Sequence, residues 1–313
     1  MSFNLCAQTG LFRHYPLELT MQKISEAGFE GVELWGGQFH GYPIDFLAHG
    51  SNISERKIDN KRIGFVSGIA RRSGLDMVCY TPEQYLYPLN YLAGDIAPFD
   101  EGTNKQNCLD YFKLCIDVAK KLGTRNVLIA TPYWLWKKDK EGHKPMSKAE
   151  IFERVTEYIR DLTTYAERSG MNLMLEALPH IGIPTAVETL DDTVEMLRRI
   201  DSRNLRVIID TGHLNVTATK IGRDPTVYLI EHVKGLSDKL AHVHIDDNRG
   251  NIDSHLAPGE GGIDFKPLLV ALDQIGYTGY LSLELNISGP YSIPPEPERL
   301  IKKSREFLID LMS

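Results

Sequence analysis

The chain has 313 residues, enough for two average domains yet also an ordinary length for one α/β barrel, so length alone does not divide it. Hydrophobic content of 42% beside 25% charged residues is the balance of a globular protein. A formal charge of −7 argues against a nucleic-acid or anionic-membrane surface, and no apolar run approaches the ~18–20 residues of a membrane span. The first residues, Met1-Ser2-Phe3-Asn4-Leu5-Cys6, carry neither a basic segment nor a long apolar one, so no signal peptide is read there. Cys6, Cys79, Cys108 and Cys115 form no C-x-x-C pair and are expected as buried free thiols, which fits a reducing, cytoplasmic location.

Short apolar runs alternate with amphipathic stretches from end to end. The spacing predicts a strand over Phe3–Ala7 with a helix over Leu17–Ala27, then Gly31–Leu34 with a helix inside Ser54–Ser73. Leu75–Tyr80 precedes a helix over Thr103–Leu122, and Asn126–Ala130 precedes Lys148–Arg168. Asn172–Glu176 pairs with Leu190–Arg199, Leu205–Asp210 with Pro225–Lys234, Leu240–His244 with Phe265–Gln274, and Tyr280–Glu284 with Pro297–Leu311. Eight such units predict a (β/α)₈ barrel, with residues 1–313 as one catalytic domain. Ala27-Gly28-Phe29-Glu30-Gly31 and Ile275-Gly276-Tyr277-Thr278-Gly279 share one design, a helix-ending glycine and a short turn into a strand that closes on Glu33 or Glu284. No glycine-rich dinucleotide fingerprint follows the first strand, which weighs against a doubly wound sheet. The four longest connections, from Trp35, Thr81, Thr131 and Ile245, all follow strands and are expected over one face of the barrel.

Glu176, Asp210, His244 and Glu284 fall at or next to the carboxyl ends of the last four predicted strands, at intervals of about 35–40 residues. Carboxyl ends converge on the face of a barrel where chemistry sits. Four carboxylates or imidazoles meeting there would repel or strand one another unless a divalent cation offset their charge. Three oxygen donors and one nitrogen favour a single ion, Mn²⁺ before Mg²⁺ or Co²⁺, with Zn²⁺ also admitted. Of His242 and His244 only one is expected to face the axis; Asp246, Asp247 and Arg249 just downstream point to His244, leaving His242 packed or behind it. Asp210-Thr-Gly-His213-Leu-Asn215 sets a further imidazole three residues beyond a candidate ligand.

With Leu-Glu176, Asp210-Thr-x-His213-x-Asn, His244 followed by Arg249, and Glu284, the chain resembles the xylose-isomerase-like TIM-barrel superfamily, in particular its ketose 3-epimerases acting on D-tagatose or D-psicose. Glu33-Leu-Trp35-Gly-Gly37, Tyr80-Thr-Pro-Glu83, Tyr87-Pro-x-Asn90 and Gly94-Asp95 are closer to the fructoselysine 3-epimerases. The resemblance implies a metal held by Glu176, Asp210, His244 and Glu284. Glu176 and Glu284 would also exchange the C3 proton on opposite faces of a small sugar, through a cis-enediolate held by the metal. It gives His213 and Arg249 the substrate oxygens near C1 and C2. The physics agrees, since inversion needs an acid and a base on opposite faces of one carbon.

The chain also departs from that pattern. The glutamate that the epimerases place six residues after the first ligand is Gly182 here, within Leu178-Pro-His180-Ile-Gly-Ile-Pro184, and fructoselysine 3-epimerase lacks the histidine that stands here as His213. The same superfamily contains C-glycoside deglycosidase subunits that eliminate an aglycone from a 3-keto sugar, which leaves a carbon–carbon lyase open, with a small partner subunit. A homo-oligomer is equally open. An endonuclease IV-like nuclease has the Asp253-Ser-His255 echo, but early strands end in Cys79-Tyr-Thr-Pro and Ala130-Thr-Pro-Tyr where it needs histidines. A non-catalytic sugar-binding module would have no use for two opposed carboxylates. The Pro132–His143 loop, with Trp134 and Trp136, could stack on a sugar or aglycone ring or serve only as packing.

Overall fold

A computed structural model describes residues 1–37, 39–84, 103–131, 136–139, 142–285 and 294–313, with the backbone alone for 103–105, 136–139 and 142–143. Tyr87-Pro-x-Asn90, Gly94-Asp95 and Trp134, together with the side chains of Trp136 and His143, lie outside what is described.

The strands are β1 (Asn4–Gln8), β2 (Gly31–Gly36), β3 (Asp76–Pro82), β4 (Asn126–Ala130), β5 (Trp136–Asp139), β6 (Gly142–Pro145), β7 (Asn172–Glu176), β8 (Leu205–Asp210), β9 (Leu240–Ile245) and β10 (Tyr280–Leu283). Eight of them close a parallel barrel in the order β1-β10-β9-β8-β7-β4-β3-β2, as the alternation predicts. The helices are α1 (Leu17–Glu26), α2 (Asn60–Arg72), α3 (Thr103–Leu122), α4 (Lys148–Ser169), α5 (Leu190–Ile200), α6 (Thr211–Lys220), α7 (Pro225–Gly235), α8 (Phe265–Gln274) and α9 (Pro297–Met312). Among the described residues no helix is long and apolar enough to cross a membrane.

Alternation along each strand sorts two cores. Leu173 and Leu175 of β7, Ile209 of β8, and Val243 and Ile245 of β9 point outward against the helices. Met174, Ile208, Leu128, Cys6, Val78 and Cys79 fill the lumen as a separate apolar cluster. All four cysteines are buried and free. Above this plug the lumen-facing positions turn polar: Glu33 follows Gly31, Glu176 follows Met174, and Asp210 follows Ile208.

Two elements were not legible from periodicity. The connection after β4 carries the antiparallel β5–β6 hairpin. After β8 the chain enters α6 at once instead of running as a loop to α7. Asp210 is the N-cap of α6, its Oδ1 accepting the His213 N–H at 2.7 Å, so a carboxylate read from sequence only as a ligand candidate also starts a helix.

Candidate metal centre

The barrel register brings the predicted residues together. Asp210 lies opposite His244 between β8 and β9, and His244 lies opposite Ser282 between β9 and β10, with Glu284 two residues further on. Glu176, Asp210, His244 and Glu284 each offer a ligand atom within 4.8 Å of the others. His244 Nδ1 is the hub, 2.5 Å from Glu284 Oε2, 3.1 Å from Glu176 Oε1 and 3.7 Å from Asp210 Oδ2.

This donor set fits a divalent cation. Asp210 Oδ2 is buried without a hydrogen-bond partner, a costly condition for a carboxylate oxygen unless something else neutralises it. The histidines beside these carboxylates offset part of their charge. Burial pushes the His244 imidazole toward neutrality, but Glu284 and Glu33 outweigh it and hold the ring protonated well above the usual histidine range. Burial likewise opposes ionisation of Asp210, yet the His213 charge and the nearby His244 imidazole bring its carboxyl down to about 2. Burial raises the Glu176 carboxyl, and its histidine neighbours only partly offset that.

Both His242 and His244 face the lumen, which corrects the expectation that only one would. Residues two apart on a strand share a face, so the alternation argument places them together. His242 Nε2 donates to Glu33 Oε2 at 2.8 Å, and His244 Nε2 lies 3.1 Å from each Glu33 oxygen. His242 stands behind the four-residue cluster, as expected.

His213 borders the cluster, its ring nitrogen Nδ1 3.8 Å from Glu176 Oε1. Its Nδ1–H donates to Ala177 O at 3.0 Å, and its Nε2 lies 3.3 Å from Asp253 Oδ2. Burial disfavours its charge, but Asp210 and Asp253 hold it well above the usual histidine range. Asp253 also approaches His255 Nε2 at 3.2 Å, so the Asp-x-His pair packs beside the cluster. Arg249 is exposed on the connection that follows β9. Gly182 has φ +81°, a conformation in which the glutamate of the epimerases would be strained.

Sequence reasoning placed Glu33 only as a strand end and missed Gln8. Gln8 Nε2 donates to Glu284 Oε1 at 2.6 Å and reaches Glu33 Oε1 at 3.4 Å, tying β1 to both carboxylates. The available signal for Glu33 was the shared turn design, which leads into a strand closing on Glu33 as it does into the one closing on Glu284.

The profile of the family described as "Xylose isomerase-like TIM barrel" matches residues 21–311. Among curated relatives, fructoselysine 3-epimerase of Shigella flexneri is 30% identical over 283 residues, covering 89% of this chain and 90% of that one. A crystal structure of a D-tagatose 3-epimerase-like protein superposes with a TM-score of 0.73 at 21% identity, covering 99% of this chain and 97% of the other. A structure of the IolI protein with a bound zinc atom gives a TM-score of 0.70 at 20% identity, covering 99% and 98%.

Proposed function

The chain belongs to the xylose isomerase-like TIM-barrel family, and from that premise we propose that it is a divalent-metal-dependent epimerase acting at C3 of a ketose or fructosamine-type sugar. The observation that supports this reading is the approach of both Glu176 and Glu284 to His244 Nδ1, at 3.1 and 2.5 Å, with Asp210 closing the set at 3.7 Å. Residues 1–313 act in it as one catalytic unit.

Glu176, Asp210, His244 and Glu284 would hold the ion. When bound, the cation supplies a Lewis acid that polarises the substrate oxygens and balances the charge left by proton removal. One of Glu176 and Glu284 takes the C3 proton, and the other returns a proton to the opposite face, so the centre inverts with no net gain or loss of atoms. His213, held by Ala177 O and Asp253, presents a charged imidazole edge to the substrate oxygens near C1 and C2. Arg249 joins it from the following connection. That arginine is the only Arg or Lys from Ile245 to Asp264, and none stands from Leu285 to Glu296, which supports an unphosphorylated substrate, since barrels bind phosphate in these loops. The ligand set favours Mn²⁺, with Zn²⁺, Mg²⁺ and Co²⁺ as competitors set by availability.

The test is incubation of metal-loaded protein in D₂O with a ketose panel, a fructosamine and a 3-keto-glycoside, followed by NMR. Deuterium at C3 together with a new epimer supports the proposal. Aglycone release from the 3-keto-glycoside, with no exchange in any ketose, would replace it with the lyase.

A further inference from the structure

Glu33 is a carboxylate in the lumen of the barrel, fully buried, at a position where such barrels ordinarily carry branched aliphatics. An ionised carboxylate there is costly unless its surroundings satisfy it. Donors from four strands do so: Gln8 Nε2 on β1, Thr81 Oγ1 on β3, His242 Nε2 and His244 Nε2 on β9, and Ser282 Oγ on β10 at 2.8 Å. The β2–β3 register slips between Val32 and Glu33, the kind of irregularity that re-aims a side chain. A residue whose only task was to fill space would need none of this.

The contact with consequences is the one to His244. Its Nε2 sits 3.1 Å from both Glu33 oxygens, while its Nδ1 sits among Glu176, Asp210 and Glu284. A neutral imidazole has one N–H and one lone pair, and the carboxylate fixes which nitrogen carries which. With Nε2–H directed at Glu33, the lone pair of Nδ1 is directed at the centre of the cluster.

We propose that Glu33 is the positioning residue of the metal centre, locking the tautomer and ring orientation of His244 so that Nδ1 serves as a ligand. This rests on the metal-dependent reading above. Glu33 stands outside the set of Glu176, Asp210, His244 and Glu284 and acts through His244, as carboxylate partners of metal-binding histidines do.

The test uses chelator-treated full-length protein titrated with Mn²⁺, with free ion counted by electron paramagnetic resonance. Glu33→Gln is expected to weaken binding about 10–100-fold relative to wild type while circular dichroism stays native. A second readout is ¹⁵N NMR of histidine-labelled, chelator-treated protein at a pH high enough to leave the ring neutral: wild-type His244 is expected as a single tautomer protonated at Nε2, and the variant as a mixture. A merely structural role would lower the melting temperature and move neither readout. If Glu33→Gln does not fold, Glu33→Asp, which keeps the charge but withdraws it by one methylene, is read the same way, with at least about tenfold weaker binding expected. A folded variant with wild-type affinity and the wild-type tautomer overturns the proposal. Wild-type protein that binds no ion at Glu176, Asp210, His244 and Glu284 overturns the reading of the site and this inference with it. Tight wild-type binding beside an unchanged variant overturns the inference alone.

Discussion

His244 Nδ1 and Glu284 Oε2 lie 2.5 Å apart across the β9–β10 edge of the barrel. That contact is a charged hydrogen bond, with Glu284 and Glu33 keeping the imidazole protonated well above its ordinary range despite burial. The proton on Nδ1 occupies the lone pair that a cation would need.

Metal uptake should therefore expel a proton. Because the His244 pKa is raised, the ring still holds that proton at neutral pH, and apparent affinity should climb with pH until the raised value is passed. Calorimetric titration with Mn²⁺ at pH 7.5, in two buffers of different ionisation enthalpy, should report close to one proton released per ion. Identical heats in both buffers, with no pH dependence of affinity, would contradict the assignment of His244 as a ligand through Nδ1.

Glu176→Gln and Glu284→Gln should each abolish turnover, by several orders of magnitude, while the fold stays intact. In the proposed mechanism each substitution removes a charged metal donor and the group assigned to exchange the proton on one face of the substrate. Metal content has to be measured beside activity, since a variant that drops its ion would mimic the loss. A fully metallated glutamine variant with near-normal turnover would sink the acid–base assignment.

The barrel was legible because strand–helix alternation repeats eight times, and the predicted strand β4 and helix α3 keep the predicted bounds Asn126–Ala130 and Thr103–Leu122. The four cluster residues were legible because each ends an apolar run. What escaped was whatever depends on contacts across the lumen. Glu33 and Gln8 sit on the first two strands, far in sequence from His244 and Glu284, and closure of β1 onto β10 is what brings them beneath the site. The paired inward histidines were misjudged by misapplying a period of two, although His242 was rightly placed behind His244. Helix α6 escaped because Thr211, Gly212 and Asn215 are poor helix formers, and its start depends on the Asp210 cap.

Gly212 explains the spacing inside Asp210-Thr-Gly-His213. A Cβ at Gly212 would fall 2.0 Å from Asp246 Oδ1 and 2.9 Å from Asn248 Nδ2, and Asn248 Nδ2 already donates to Gly212 O at 2.9 Å. Asp246 has little room to retreat, being fully buried with Thr211 Oγ1 bonded to its carbonyl. Gly212→Ala must therefore shift Asp246 or the first turn of α6, on which Asp210 and His213 are set. Overpacking of this kind costs about 1–3 kcal/mol. The control is Gly64→Ala in α2, where a Cβ meets nothing within 4 Å and the backbone is helical, so the substitution should stabilise by about 0.5–1 kcal/mol. Urea unfolding of both variants after chelation should give shifts of opposite sign, and Gly212→Ala should also weaken Mn²⁺ binding where Gly64→Ala leaves it unchanged. A Gly212→Ala protein as stable as wild type, with unaltered metal affinity, would show that the close approach of α6 to Asp246 is not what the glycine is for.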